Sequence, residues 1–335
     1  MRLVQADLLK AAMGRAFNEF NLPQPHITAV CEALISMALD GNNTHGVKLF
    51  TTYLEELRVG SSNPNPLMVV TSTLPAVAVL DADHALGVVA ASHALNIAIE
   101  RSKIYGIAAV AVQNSNHFGA ASYYAKRAAQ ENFIGLVSSN SESRISPING
   151  GISPHRATPL AIAVPSTDES FCIDMATSPL TYSMMMQFLD RKLEWQAAGT
   201  EDVNSHDVQS SNEVMALEEL QEYKEQGLGM IVQILCTLLS NMPFNDQFVR
   251  LDTAYDKRQR GVGYFLICVN IDGFTSGERF CFRTSQLLNH FRNNLTEDSN
   301  SLFALVDGER RIRRERVLNG IPLDDNEWAA IGPYL

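Results

Sequence analysis

Gly106-Ile107-Ala108-Ala109-Val110-Ala111-Val112, then Asn114-Ser115-Asn116-His117-Phe118-Gly119, then Ala120-Ala121-Ser122-Tyr123-Tyr124-Ala125-Lys126-Arg127-Ala128-Ala129: this stretch decides the fold. The first run is apolar and follows a glycine, the pattern of a short buried strand. The last run, rich in alanine, reads as a helix. Between them a histidine is framed by small polar residues and a glycine. Open α/β sheets bind their ligands outside the carboxyl ends of their strands, which is where this histidine falls. Imidazole has an unperturbed pKa of about 6.5, so it can give or take a proton near neutrality. The segment therefore predicts an α/β fold with an enzyme-like loop at the tip of one strand.

The alternation continues outward. Ala76–Leu80, Phe133–Ser138, Leu160–Val164 and Phe171–Ile173 read as further short strands, the last leading into Asp174. Gly87–Ile104 reads as an alanine-rich helix. Strands alternating with helices argue for an α/β domain with a largely buried sheet. Upstream, residues 1–60 read as helical, with Met1–Asp7 as an amphipathic helix start. Ile27, Val30, Cys31, Leu34, Ile35, Ala38 and Leu39 recur at helical spacing. Asp40–Gly46 breaks that pattern, Val47–Leu57 resumes it, and a Ser/Asn/Pro loop over 61–66 ends it. Downstream, 185–226 reads as an acidic surface excursion. Gly227–Leu239 is an almost wholly apolar helix, expected to be central. Gly263–Ile271 reads as a strand, Thr284–Asn294 as an amphipathic helix, and a last helix ends near Asn319-Gly320. The expected division is a helical part over 1–66 packing with the C-terminal part, α/β segments over 67–184 and 227–335, and the excursion between them.

Composition narrows the function classes. A hydrophobic fraction of 46% with 19% charged residues leaves no case for disorder. The net charge of -11 argues against nonspecific binding to nucleic acid or anionic lipid. The basic cluster Arg310-Arg311-Ile312-Arg313-Arg314-Glu315-Arg316 is expected on the solvated face of a helix. No apolar run approaches the roughly 20 residues that cross a bilayer. The N-terminus lacks the pattern of a signal peptide. The five cysteines are odd in number and far apart, matching neither a disulfide framework nor a zinc site. A cytoplasmic protein without a bound metal is the expectation.

Generic catalytic motifs are missing. No Gly-x-Gly-x-x-Gly joins a strand to a helix, and there is no Walker loop, His-Glu-x-x-His or Gly-x-Ser-x-Gly. Two histidines remain beside glycines: His117, and His45 in Asn42-Asn43-Thr44-His45-Gly46. By residue type alone each is more often a solvated or capping residue than a catalyst. Asp174-Met175-Ala176-Thr177-Ser178 suits either a ligand loop or a helix N-cap made by Asp174.

Together these segments resemble the type-2 malate/L-lactate dehydrogenases. Thr44-His45-Gly46-Val47, Asn116-His117-Phe118-Gly119, Ser139-Asn140-Ser141, Pro159–Pro165 and Asp174–Ser178 carry the resemblance in order and spacing. Lys224–Gly229, Asn319-Gly320-Ile321-Pro322 and Trp328 extend it over essentially the whole chain. Within the family, the Tyr182-x-Met184 spacing and the run Gly227–Ser240 look most like the 2,3-diketo-L-gulonate reductase branch. The resemblance implies a non-Rossmann α/β fold that binds NADH or NADPH, which would explain the absent glycine fingerprint. It also implies a homodimer acting on a small molecule, a 2-oxo acid or a cyclic ketimine. By the same resemblance the cofactor would lie along Ser141, Asp174, Met175, Ala176, Thr177, Ser178, Tyr223, Lys224 and a turn formed by Asp307, Gly308 and Glu309. His45 and His117 fall on the two histidines proposed as proton donor in different members. Lys48 and Asn116 fall beside the substrate.

Several positions depart from the family pattern. Leu49 replaces an arginine suited to holding a carboxylate through two parallel hydrogen bonds, and Lys48 lies about 100° away around a helix. Arg156-Ala157-Thr158-Pro159 replaces Gly-Thr-Asn-Pro, Glu225 enters the Lys-Gly-x-Gly segment, and Gln233 replaces an acidic residue. An altered substrate and a non-catalytic paralogue both remain open on these grounds.

Overall fold

The computed structural model describes residues 2–140, 158–176, 227–243, 260–294 and 302–335. In chain order the elements are β1 (Arg2–Val4), α1 (Ala6–Asn18), α2 (Gln24–Leu39), α3 (Leu49–Val59), β2 (Val69–Thr71) and β3 (Val77–Asp81). There follow α4 (Gly87–Tyr105), β4 (Ile107–Ser115), α5 (Ala121–Gln130), β5 (Phe133–Ser139), β6 (Pro159–Val164) and β7 (Phe171–Ala176). A helix over 227–237, α6, precedes β8 (Val262–Asn270), α7 (Gly277–Asn294), α8 (Leu302–Asn319), β9 (Ile321–Leu323) and α9 (Asp325–Ile331). The acidic stretch 185–226 lies outside the described residues.

The strand–loop–helix segment forms as β4 and α5, at the centre of a seven-stranded sheet of order β2-β3-β4-β8-β5-β6-β7. Neighbours are antiparallel except for the parallel pair β3 and β4. β8 inserts between β4 and β5, so the strand of this sheet that comes last in the chain joins its two halves. One face carries α4 and α5, whose alanine-rich sides lie against β4, β5 and β6 in the main core. Small side chains let these helices sit close to the strands, and Ala90, Ala91, Ala94, Ala98, Ala125 and Ala128 are fully enclosed.

The N-terminus departs from the expected helix start. Arg2, Leu3 and Val4 pair antiparallel with Leu323, Pro322 and Ile321. Val4, Ile321 and Leu323 are buried together, and α1 begins only after the extended Gln5. Long-range strand pairing has overridden a local helical pattern.

The apolar helix α6 is not central. It covers the second face of the sheet with a small cluster of Val232 and Cys236 against Ala111 and Phe265. Gly263 on β8 permits the approach, because a Cβ there would fall 2.2 Å from the Cys236 carbonyl oxygen. The opposite side stays open, with Met230, Ile231 and Leu238 each more than half exposed. An apolar composition showed that this helix is covered, not by what.

The basic cluster is likewise only partly solvated. Arg310 pairs with Glu169 at 2.8 Å, and Arg313 donates to Asp40 at 2.5 Å and to the Ser36 carbonyl at 3.4 Å. Arg316 donates to the Ala38 carbonyl at 2.5 Å and to Asn43 at 3.0 Å. Arg313 and Arg316, three residues apart on α8, thus turn their guanidinium groups onto the C-terminal end of α2, where the helix dipole is negative. Asp40, the buried C-cap residue of α2, also accepts from Lys126 of α5 at 3.0 Å.

Candidate active site

Two loops meet beyond the end of β4. The strand's register shifts between Val112 and Ser115, and Asn114 takes a left-handed φ of 53°. This irregularity turns the following residues off the sheet. Asn114 is held there by its amide, which donates to Asp81 at 2.9 Å. Burial alone would raise the Asp81 pKa, but hydrogen bonds from the Asp83 backbone, Gln113 and Asn114 bring it below the ordinary carboxylate value.

Asn116 pins the loop from inside. It is fully buried, and its amide nitrogen donates to the carbonyls of Ser61, His84 and Ala85. Its own backbone carbonyl accepts from the Tyr264 hydroxyl, which also meets Ser115 at 2.9 Å. Helix α4 packs directly on this loop. A Cβ on Gly87 would fall 2.2 Å from the Asn116 carbonyl oxygen and 2.3 Å from that of His117.

This anchoring sets His117 against His45, with ring centroids 5.8 Å apart and planes inclined by 13°. The His45 loop leaves α2 through Asn42, whose side chain accepts from the His45 backbone N–H at 3.1 Å. Burial holds the His45 pKa below the ordinary imidazole value, and the nearby Asp174 carboxylate opposes this only in part. Asp174 does cap a helix, as one sequence reading allowed, but the helix is the distant α5. The Ser122 backbone N–H donates to it at 3.0 Å. One carboxylate from β7 therefore closes the start of α5 and faces an imidazole.

The other site residues named from sequence scatter more. Met175 and Ala176 follow Asp174 on β7. Ser141, Arg156, Thr177, Ser178, Tyr182, Met184, Tyr223, Lys224 and Glu225 lie outside the described residues. Asp307, Gly308 and Glu309 form no turn but belong to α8. Asp307 pairs with Arg292 at 3.0 Å, and Glu309 pairs with Lys126 at 3.1 Å. Glu309, Lys126, Asp40 and Cys172 line a cavity of about 360 Å³ between α5 and the 165–170 turn, and its lining includes none of His45, His117 and Asp174. Lys48 is exposed and lines another cavity, of about 270 Å³, with Thr51, Asp324 and Glu327 but neither His45 nor His117. Leu49 is half-buried and packs on the main core.

Sequence reasoning missed the residues beneath the histidines. Tyr53 is fully buried on α3, and its hydroxyl lies 3.4 Å from His117 Nδ1. One turn on, Glu56 forms a buried ion pair with Arg260 at 3.1 Å and accepts from Ser62 at 3.0 Å. A signal existed: Phe50, Tyr53, Leu54 and Leu57 make a buried stripe, and Glu56 puts a carboxylate beside it. A charge in an apolar register demands a partner, and such pairs gather at functional sites.

Two buried amide atoms near this end of the sheet have no partner among the described residues: Asn116 Oδ1 and Asn140 Nδ2. One accepts and one donates, so the site holds unsatisfied capacity for a ligand with polar groups of both kinds. A group carrying both a donor and an acceptor, as a nucleotide cofactor does, would meet that capacity. Among the described residues no set of histidine, cysteine and carboxylate side chains could hold a metal ion.

The malate/L-lactate dehydrogenase family model matches residues 4–332. The chain belongs to this family. It is a family of oxidoreductases, whose named members are dehydrogenases and reductases acting on CH–OH groups with NAD(P). An NAD(+) ureidoglycolate dehydrogenase of Escherichia coli K12 is 30% identical over 288 residues, 85% of this chain and 82% of that one. A 2,3-diketo-L-gulonate reductase of Salmonella typhi is 26% identical over 335 residues, 98% of each chain. The solved malate dehydrogenase of Pyrococcus horikoshii superposes with a TM-score of 0.82 at 26% identity, covering 99% of this chain and 94% of its own. The non-Rossmann fold expected from the sequence motifs is therefore the fold observed.

Proposed function

We propose that this protein reduces a small 2-oxo acid of the 2,3-diketo-L-gulonate kind to the 2-hydroxy acid, using NADH or NADPH, with the paired histidines as its acid–base machinery. The observation that carries the reading is the stacked pair His45 and His117 beside Asp174. When bound, the nicotinamide supplies the hydride. The chain's own residues then have to hold the carbonyl, stabilise the charge that builds on its oxygen, and deliver a proton to it. Two imidazoles on one face of the cleft can divide those tasks. Asp174 favours the protonated form of His45. The cofactor would lie along Asp174, Met175 and Ala176, with Ser141, Thr177, Ser178, Tyr223, Lys224, Asp307, Gly308 and Glu309 contributing, and Lys48 and Asn116 near the substrate.

A second reading, an altered substrate such as a cyclic imine, is favoured by Leu49. A half-buried leucine packed into the core cannot hold a carboxylate, so the usual anchor for a 2-oxo acid is gone. All five cysteines are free thiols, which suits a reducing cytoplasm. Among the described residues no helix is long and apolar enough to cross a membrane. The open apolar side of α6 suits a homodimer contact.

Purified protein mixed with NADH or NADPH and a panel of 2-oxo acids and cyclic imines should lose reduced-nicotinamide absorbance with at least one. Absence of both turnover and cofactor binding at sub-millimolar concentration would refute the enzyme reading.

A further inference from the structure

The two histidines are not equivalent, and the contacts of His117 separate their tasks. Among the described residues, its Nδ1 faces the Tyr53 hydroxyl and the Gly119 backbone N–H, each at 3.4 Å. A backbone N–H can only donate. The nitrogen it addresses must therefore present a lone pair, and the ring's single proton sits on Nε2. Tyr53 points the same way. The phenol is fully buried, so its pKa is pushed well above the ordinary value, first by burial and then by the charges of Glu56 and Tyr264, with Arg260 opposing. It keeps its proton through neutral pH and offers it to Nδ1. A doubly protonated His117 would turn an N–H against the Gly119 N–H while these contacts last. Contacts of this length in a ligand-free site commonly tighten when substrate binds.

We infer that Tyr53 and the Gly119 amide hold His117 as the neutral Nε2–H tautomer, so that His117 donates a hydrogen bond to the reacting oxygen and His45 alone delivers the proton. This deepens the proposed reductase reading and rests on it for the catalytic part. As hydride reaches the carbonyl carbon, the C=O π bond breaks and its electron pair passes to oxygen. The Nε2–H of His117 stabilises that charge without transferring its proton, as neutral imidazoles do elsewhere. The His45 imidazolium gives its proton to the oxygen and becomes neutral, completing the CH–OH. No hydrogen-bond partner of the His45 ring occurs among the described residues, which leaves that ring free to change protonation state. Tyr53 is on this account a positioning residue, acting through His117.

The test has a spectroscopic and a kinetic arm. Nitrogen-15 NMR of the histidine-labelled full chain, with His117 assigned by its absence in His117→Gln, should show a pyridine-type Nδ1 and a pyrrole-type Nε2 across neutral pH. Tyr53→Phe should mix the two tautomers. A protonated Nδ1 in the unaltered protein would overturn the inference whether or not any substrate turns over. In the kinetic arm, Gln at 117 keeps an N–H near the place of Nε2 and cannot act as an acid. His117→Gln should therefore retain about tenfold or more of the kcat that His117→Ala loses, given a loss of about 10² to 10³ for one such donor. His45→Gln should be as impaired as His45→Ala. Equal impairment of the two His117 variants, or rescue at His45 by Gln, would overturn the assignment. A protein with the expected tautomer and no turnover on any substrate would instead count against the reductase reading alone.

Discussion

Replacing Gly87 by alanine sets two effects of known sign against each other. Gly87 is the first residue of α4, and alanine is favoured over glycine in a helix by about 1 kcal/mol. By propensity alone Gly87→Ala would stabilise the protein. The added Cβ, however, lies 2.2 Å from the Asn116 carbonyl oxygen, 2.3 Å from the His117 oxygen and 2.4 Å from the His117 carbonyl carbon. All three are backbone atoms, so no side chain can swing aside. The loop must withdraw by about 1 Å to restore ordinary contact. It is tied by the Tyr264 hydroxyl, by the Asn116 amide's bonds to three carbonyls, and by Tyr53. Overpacking at so constrained a place costs about 1–3 kcal/mol or more, which exceeds the propensity gain.

The catalytic consequence is larger. Displacing an acid–base group by about 1 Å can cost on the order of 10²-fold in rate. Gly87→Ala should therefore lose stability in chemical denaturation and about two powers of ten in kcat/KM in the reduced-nicotinamide assay. Gly14→Ala is the matched control. It lies within α1, far from the histidines, and its Cβ would meet only a methyl of Ile27, at an ordinary 3.6 Å. That variant should gain up to about 1 kcal/mol and keep its activity. If Gly87→Ala proves as stable and as active as Gly14→Ala, the argument that α4 clamps the His117 loop is wrong.

Two further outcomes follow from the site. Asp174→Asn removes the carboxylate that raises the His45 pKa, leaving burial to lower it unopposed. Reduction needs the imidazolium, so the fall of kcat with rising pH should move to lower pH; an unmoved or upward-shifted profile would exclude His45 as the acid. Asparagine can still accept from the Ser122 N–H, so α5 should keep its cap. Arg260→Met removes a cation paired with the buried Glu56 carboxylate and should destabilise by about 3–5 kcal/mol in denaturant titration. Adding Glu56→Gln should recover part of that loss, and a single-variant cost below about 1 kcal/mol would show that the pair is unimportant.

The local patterns that were legible in the sequence are those in which one residue type repeats on one element. Ile107–Val112 and the alanines of α4 and α5 announced a strand between packed helices. The loop holding His117 was legible for a different reason: by residue type alone it would pass as solvated or capping, but its place at a strand end and the motifs in register with it mark it out. What stayed hidden depends on partners distant in sequence. Val4 looks helical until Ile321 pairs with it. Arg313 looks solvated until Asp40 is placed beneath it. The apolar run of α6 shows that something covers it, but only Gly263 and Phe265 on β8 show which side faces the sheet. Gly308 suggested a turn, yet in α8 its Cβ position opens on empty space and the helix simply tolerates it. Tyr53 and Glu56 were missed because their function is second-hand: Tyr53 touches a histidine that only the folded chain brings near, and Glu56 pairs with Arg260 one turn further on.

That distinction bears on what the departures from the family pattern mean. The groups that fix the His117 loop are Asn116, Gly87, Tyr264, Ser115 and Tyr53, and none of them is a departing position. Leu49, a departing position among the described residues, packs on the core and takes no part in the anchoring. A chain that had lost its chemistry would have little reason to keep a buried carboxylate, its arginine and a buried phenol beneath one imidazole, since burying such groups is costly and apolar replacements are often neutral or stabilising. The loss at Leu49 therefore falls on substrate recognition and not on the acid–base pair. Under this reasoning Leu49→Arg should change which substrate is preferred, by an effect on KM, while leaving the pH dependence of kcat where His45 sets it. A shift in that pH dependence on Leu49→Arg would mean that the anchor and the acid are coupled, and the separation argued here would fail.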